Sequence, residues 1–192
     1  MIQSASARTR LLTCGASAIA LMASMASPAF AQTAAQPGDA QCPIVDGVVT
    51  CTGNVAGGFR ADRTTGLSGV VLRDLTAPIA PANGSAAIYI RPLGNLDLDL
   101  DGSVTIRTAN PFAGDLGTRR LRGSVTLAFD PAVTTRARIV SAADIVTNLT
   151  NSAGGGFYIL EADNVDFTNL GEVRTVKTGT VGTQDSLAYA VL

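Results

Sequence analysis

Gly102-Ser103-Val104-Thr105-Ile106 returns as Gly123-Ser124-Val125-Thr126-Leu127, and this repetition decides how the chain is read. In the same 21-residue register, Val146-Thr147-Asn148-Leu149 returns as Phe167-Thr168-Asn169-Leu170. A unit of this length is too short for a helix pair and matches one coil of a β-solenoid stacked on the next. Stacked coils place like residues about 4.8 Å apart along one axis. Val104, Val125, Val146 and Phe167 are therefore expected to form an inward apolar ladder, with Asn148 and Asn169 stacked at a corner. Gly154 to Gly156 read as another corner, and the period implies about seven coils.

Around this repeat the chain is strand-like throughout. Runs rich in β-branched and apolar residues fall at 69–72, 86–91, 96–100, 103–107, 124–129, 137–141, 157–160, 165–168 and 186–192, and no window of helical length carries a sustained apolar stripe. The fold class is all-β, a parallel β-helix, with a β-sandwich as the alternative because regular short strands also build sandwiches. The absence of Trp and the low aromatic content suit a narrow interior filled by Val, Ile, Leu and Ala.

The sharpest local feature is Cys42-Pro43-Ile44-Val45-Asp46-Gly47-Val48-Val49-Thr50-Cys51. Asp-Gly between β-branched residues is a strong two-residue hairpin turn. Counting outward pairs Val45 with Val48, Ile44 with Val49, Pro43 with Thr50 and Cys42 with Cys51. If Val45 and Val48 exchange hydrogen bonds, alternation makes the cysteines a non-hydrogen-bonded pair, near about 4.5 Å between Cα atoms and within disulfide reach. A disulfide there stabilises by about 2 to 3 kcal/mol in the chain-entropy picture. The spacing is not Cys-x-x-Cys, and the chain has no His to complete a metal site.

The segment from Met1 to Ala31 has the parts of a secretory signal: Arg8 and Arg10, an apolar run from Leu11 to Phe30, and Ala29-Phe30-Ala31 before Gln32. Cleavage is expected between Ala31 and Gln32, which discards Cys14. The mature chain keeps all 15 acids and 12 of the 14 bases, 12 − 15 = −3. That balance argues against nucleic acid, which needs a clustered basic face. Gln32 to Gln41, rich in Ala, Gln, Pro and Gly, reads as a flexible leader. Residues 42–95 read as the hairpin, a loop-rich cap and the first coils, and 96–192 as coils with the 21-residue period.

The alanine-rich signal, the Pro/Gln-rich leader, Cys-x8-Cys-Thr-Gly at Cys42 to Gly53, and the Val/Thr/Asn/Gly coils together resemble the start of an autotransporter passenger domain. The resemblance covers nearly the whole chain. It rests on arrangement and composition more than on one motif. It implies a right-handed parallel β-helix exported through the inner membrane of a Gram-negative bacterium, then displayed on or released from the cell surface. A β-barrel translocator in the outer membrane is implied in a longer chain, so these 192 residues are expected to be a piece of one.

Asp97-Leu98-Asp99-Leu100-Asp101-Gly102 invites a calcium reading, because three alternate carboxylates before a glycine open an EF-hand loop. The twelfth position is Thr108, so the bidentate Glu is missing. Alternation gives the plainer account: Leu96, Leu98 and Leu100 point inward and the aspartates line a solvated face. Asp97, Asp99 and Asp101 remain calcium candidates because like charges on one face gain from a cation. Without His, Ser-His-Asp and Cys-His catalysis are excluded. A carboxylate mechanism on polysaccharide would draw on Glu161, Asp163, Asp166, Glu172, Arg174 and Lys177, whose spacing is that of ordinary outward positions. Arg119, Arg120 and Arg122 decorate a turn, where an anionic glycan or lipopolysaccharide is the contact such charges would favour. The sequence thus points to a non-catalytic exported surface module, adhesin or stalk, needing no cofactor and meeting a host or surface glycan or protein. A secreted polysaccharide-acting enzyme and a small periplasmic β-sandwich binding module are the alternatives.

Overall fold

A computed structural model describes residues 32–116, 119–150, 153–179 and 188–191, with the backbone alone at 116, 119 and 188–191. The expected signal segment, including Ala31, lies outside the described residues. The strands begin with β1 (Ile44–Val45), β2 (Val48–Gly53), β3 (Phe59–Asp62), β4 (Gly69–Leu75) and β5 (Ile88–Arg91). They continue with β6 (Leu96–Leu100), β7 (Thr105–Ala109), β8 (Gly114–Leu116), β9 (Arg119–Leu121) and β10 (Gly123–Ala128). The last are β11 (Arg136–Ser141), β12 (Asp144–Thr150), β13 (Gly154–Leu160), β14 (Asn164–Asn169), β15 (Val173–Thr178) and β16 (Ala188–Val191). The described chain is all-β.

Three sheets hold nearly all of these strands. A six-stranded sheet runs β1-β2-β4-β6-β11-β14, a five-stranded sheet β16-β13-β10-β5-β3, and a three-stranded sheet β15-β12-β7. From β10 the chain visits the five-, six- and three-stranded sheets in strict rotation and returns to the first at β16. Among the described residues, the antiparallel pairings are the two hairpins, β1 with β2 and β8 with β9, and all other strand pairings are parallel. The antiparallel sheets of a sandwich are not what the sequence builds.

The repeat length differs from the one read in the sequence. Val70 pairs with Leu98, Ile139 with Phe167 and Ile145 with Val173, and each step has the separation of 28 that also joins Thr135 to Asp163 and Thr150 to Thr178 through hydrogen bonds. A 21-residue step falls seven short in these pairs, although it is the step that joins β2 to β4, where Val49 pairs with Val70 and Cys51 with Leu72. Val104, Val125, Val146 and Phe167 do not share one column. Val104 precedes β7, Val125 lies in the five-stranded sheet, Val146 in the three-stranded sheet and Phe167 in the six-stranded sheet. Every inward position accepts a β-branched residue, so Val-Thr steps recur without marking one face. In the six-stranded sheet five strands, β2, β4, β6, β11 and β14, lie side by side in parallel.

Two expected corners are likewise strand. Gly154 to Gly156 open β13 and are buried, while Asn148 lies within β12, in register with Ala109 and Val176 rather than with Asn169. Gly154 has φ +155°, and a Cβ there would lie 2.8 Å from the Arg122 carbonyl oxygen, so glycine is needed for close approach of two backbones. A tighter case is Gly171, which leads into β15. A Cβ there would meet the backbone of Ala142 and Ala143, so the chain can turn between the six- and three-stranded sheets only without a side chain.

The interior is a single apolar column fed by all three sheets. Val70, Leu98 and Ile139 from the six-stranded sheet meet Phe59, Ile88, Val125 and Phe157 from the five-stranded sheet and Ile106 and Ile145 from the three-stranded sheet. The leucines of β6 alternate with aspartates as expected: Leu96, Leu98 and Leu100 are buried while Asp97 and Asp99 are exposed.

The hairpin is as the sequence reads. Ile44 pairs with Val49 and Val45 with Val48. Asp46 and Gly47 both take positive φ, 49° and 79°, the backbone of a two-residue turn that matches strand twist. Thr50 N donates to Pro43 O at 3.1 Å and Thr52 N to Gln41 O at 2.9 Å. Those bonds flank the cysteines, so Cys42 and Cys51 face each other as the non-hydrogen-bonded pair. They form a disulfide with Cα atoms 4.1 Å apart, and both are fully buried.

The stretch expected as a flexible leader is instead docked. Ala35 pairs in parallel with Phe59, its N donates to Gly58 O and its O accepts from Arg60 N, both at 2.8 Å. Its methyl group is buried in the core, so both backbone pairing and apolar burial hold the segment on the edge of the five-stranded sheet.

Candidate functional site

Thirteen residues, 110 to 122, lie between β7 and β10, and the step from Leu98 to Ile139 that spans them has a separation of 41, the same that joins Asn95 to Arg136, against 28 from Val70 to Leu98 and from Ile139 to Phe167. This detour leaves the three-stranded sheet after β7, makes the β8–β9 hairpin and folds onto the outer face of the five-stranded sheet. That face carries a column in register, Arg60–Tyr89–Thr126–Tyr158. Ala113 and Leu121 of the detour bury against Tyr89, Ala128 and Leu160, with Ala86 and Tyr158 packed at the margin. The second apolar cluster so formed lies outside the main core and fastens the hairpin down.

Both ends of the detour are anchored by backbone. Asn110 N donates to Asn148 O at 2.7 Å, Ala113 N to Leu121 O at 2.8 Å, and Gly155 N to Arg122 O at 3.1 Å. The Asn110 side chain is engaged as well: Oδ1 accepts from Thr150 N at 2.6 Å and Nδ2 donates to Asn83 Oδ1 at 3.3 Å. Asn110 has φ +47°, a left-handed conformation that Asn tolerates better than most residues.

Two concavities result, with Phe112 on the rim of each. One, of about 260 Å³, is walled by Asn110, Pro111, Phe112, Arg120, Arg122 and Ala153. The other, of about 180 Å³, lies over Phe59, Arg60, Ala86 and Tyr89, and reaches Gln32, the expected first residue of the mature chain. Phe112 is 40% exposed, although the apolar cluster is within reach of its neighbours. Beneath it the Arg60 guanidinium lies 4.3 Å above the Tyr89 ring centre, a cation–π contact. Asp62 stands near Arg60 and Arg91 at 3.8 and 4.0 Å. Burial pushes the Tyr89 hydroxyl above its usual range; Asp62 raises it further, and Arg60 and Arg91 oppose the rise.

No family model, curated protein or solved structure matches this chain.

The residues singled out from sequence fall elsewhere. Asp97 lies between Gly69 and Arg138 in register, and Asp99 between Val71 and Val140, so neither is stacked on another acid. Arg136 approaches Asp97 at 3.7 Å with both side chains more than half exposed, a pair worth about 0 to 1 kcal/mol. Asp101 closes a turn, its Oδ1 accepting from Ser103 N at 2.7 Å and Ser103 Oγ at 2.5 Å. Among the described residues, no group of three or more acids or cysteines is arranged to hold a metal. Asp163 Oδ2 accepts from Thr135 N at 2.7 Å, Asp166 lies on β14, and Glu172 sits 3.8 Å from Arg174 beside β15. These carboxylates are divided between separate sheets and turns.

Of the arginine cluster, Arg120 and Arg122 do converge, on the larger concavity. Arg119 belongs to β9, and its side chain lies outside what is described. Sequence reasoning passed over Asn110, Phe112 and Tyr89. The available signal was the mismatch between the arginine-bearing segment and the surrounding strand spacing.

Proposed function

We propose that this chain is a non-catalytic segment of an exported surface protein, a right-handed parallel β-helix acting as an adhesin module or stalk in the manner of autotransporter passenger domains. One observation carries the reading: from β10 onward the chain passes in strict rotation through three sheets, and every strand pairing it makes there is parallel. That order is what a helix of strands produces, and parallel crossover connections are right-handed in nearly all proteins. Five rungs about 4.8 Å apart make a rod segment roughly 20 Å long.

The buried disulfide adds support, since such bonds persist in oxidising compartments. It staples the hairpin, whose β1 strand lies at the edge of the six-stranded sheet and blunts it against stray pairing. The signal-like segment from Met1 to Ala31 agrees with the same compartment.

Expression of the complete coding sequence in a Gram-negative host tests this directly. Fractionation, intact-mass analysis and thiol trapping are expected to find an envelope or surface protein beginning at Gln32, with Cys42 and Cys51 oxidised. Cells carrying it are expected to adhere to glycan- or protein-coated surfaces more than cells without it. Cytoplasmic protein retaining Met1, with Cys42 and Cys51 both free in the folded chain, defeats the proposal.

A further inference from the structure

We infer that the concavity walled by Asn110, Pro111, Phe112, Arg120, Arg122 and Ala153 is a binding site for the carboxylate-bearing ring of an acidic saccharide. Among the described residues, two guanidinium groups line it and no acid does. The nearest acid on the hairpin, Asp115, pairs across it with Arg120 in strand register and is not part of the wall. The mature chain is net acidic, so this pocket is a local reversal of the molecule's charge. Two guanidinium groups on its wall favour an anion there.

The type of anion follows from the donors and the walls. A guanidinium offers parallel N–H groups that match a carboxylate, two bonds to two oxygens. Phe112 and Pro111 supply an apolar surface beside those donors. A sugar ring has the matching character, with C–H groups on one face and polar groups at its edge, and aromatic rings receive such faces well. A concavity of about 260 Å³ is on the scale of one sugar ring rather than a long chain. A bare inorganic anion would leave the Phe112 wall without a partner.

The wall is also held ready. Asn148 and Thr150 fix Asn110 from one side, Gly155 fixes the Arg122 backbone from the other, and Ala113 and Leu121 anchor the hairpin between them. Little chain ordering is left for the binding step, which favours affinity from a small contact. With no carboxylate among the described lining residues, this is a site for holding a saccharide, not for cleaving one. It gives the adhesin reading a ligand class, and it rests on that reading only for its biological role.

Calorimetric titration of the purified full chain with a galacturonate trimer, the neutral galactose trimer and inorganic phosphate tests the site whether or not export occurs. The acidic trimer is expected to bind at least roughly tenfold more tightly than either comparator, with affinity falling as salt is added. Arg120→Gln and Arg122→Gln are each expected to weaken it by roughly tenfold, and Arg120→Lys to recover only part of the loss. Phe112→Ala is expected to weaken the acidic trimer without changing phosphate binding, and Arg136→Gln, on the six-stranded sheet, to change nothing. Thermal unfolding of each variant checks the fold; should Arg122→Gln unfold, the exposed Arg120 and Phe112 variants carry the test. Equal affinity for acidic and neutral trimers, or folded Arg120→Gln and Phe112→Ala proteins that bind as before, overturns the inference. Phosphate bound as tightly as the acidic trimer also overturns it.

Discussion

Phe157 and Phe167 meet edge to face across the angle between the five- and six-stranded sheets, with ring centres 4.9 Å apart and planes at 77°. Phe157 is fully buried and lies in register between Val125 and Val191, whereas Phe167 is half-buried in register with Ile139. Phe157→Ala is expected to cost about 3 to 5 kcal/mol in urea unfolding, and Phe167→Ala less, because part of its ring is already wet. The double variant is expected to cost less than the sum by about 0.5 to 1.5 kcal/mol, the worth of an aromatic pair beyond its burial. A strictly additive result refutes a direct ring interaction.

The Cys42–Cys51 bond closes a short loop at the edge of the six-stranded sheet. Replacing both by Ala is expected to lower stability by about 2 to 3 kcal/mol. Reductant is expected to lower the melting temperature of the parent protein and leave that of the double variant unchanged. Comparison of the two melts, with and without reductant, separates loss of the bond from loss of the buried sulfur atoms.

The hairpin was legible because everything that sets it is local: an Asp-Gly turn fixes the register, and register fixes which residues face each other. Leu96, Leu98 and Leu100 were legible for the same reason, since a period of two needs only neighbouring residues. Rung length was not, because it depends on which strand lies above which, and Val-Thr steps occur on all three sheets. β3 was hidden in a glycine-rich stretch and β15 in a polar one, Val173-Arg174-Thr175-Val176-Lys177-Thr178, where hydrogen bonding to β12 decides the outcome. Of the pocket, the sequence showed the arginines. That Asn110 and Phe112 join them depends on a detour folding back onto Tyr89, a long-range contact with no sequence spacing of its own.

Tyr89 gives stability a pH dependence on the alkaline side. Its folded-state titration lies above the value of about 10 expected for an unfolded chain. Between those two values the native state holds a proton that the unfolded state has lost, so its stability contribution is complete below about pH 10 and falls as pH rises through the folded value. Unfolding free energy is therefore expected to decline above about pH 10, and Tyr89→Phe to flatten that decline. Ultraviolet titration of phenolate in the parent and variant identifies the late-titrating hydroxyl. A Tyr89→Phe profile identical to the parent's over this range rejects the assignment.

Where the three- and five-stranded sheets meet, a chain of buried hydroxyls runs through the interior. Thr108 Oγ1 lies 2.6 Å from Ser124 Oγ, Ser124 Oγ lies 2.5 Å from Thr147 Oγ1, and Thr147 Oγ1 donates to Gly155 O at 3.2 Å. Each hydroxyl has one hydrogen, so the last bond orients the rest: Ser124 donates to Thr147 and Thr108 to Ser124. Thr147→Val keeps the side-chain shape but leaves the Ser124 hydrogen without its acceptor and removes the donor to Gly155. All three residues are at most 2% exposed, so water does not compensate, and a loss of about 1 to 3 kcal/mol is expected. Thr108→Val removes a donor at the outer end of the chain and is expected to cost less. The triple variant Thr108→Val, Ser124→Ala, Thr147→Val strands no hydroxyl and is expected to be more stable than the sum of its parts implies. Urea unfolding of the parent, the three single variants, Ser124→Ala included, and the triple variant measures this, and additive losses would show that the three hydroxyls act independently.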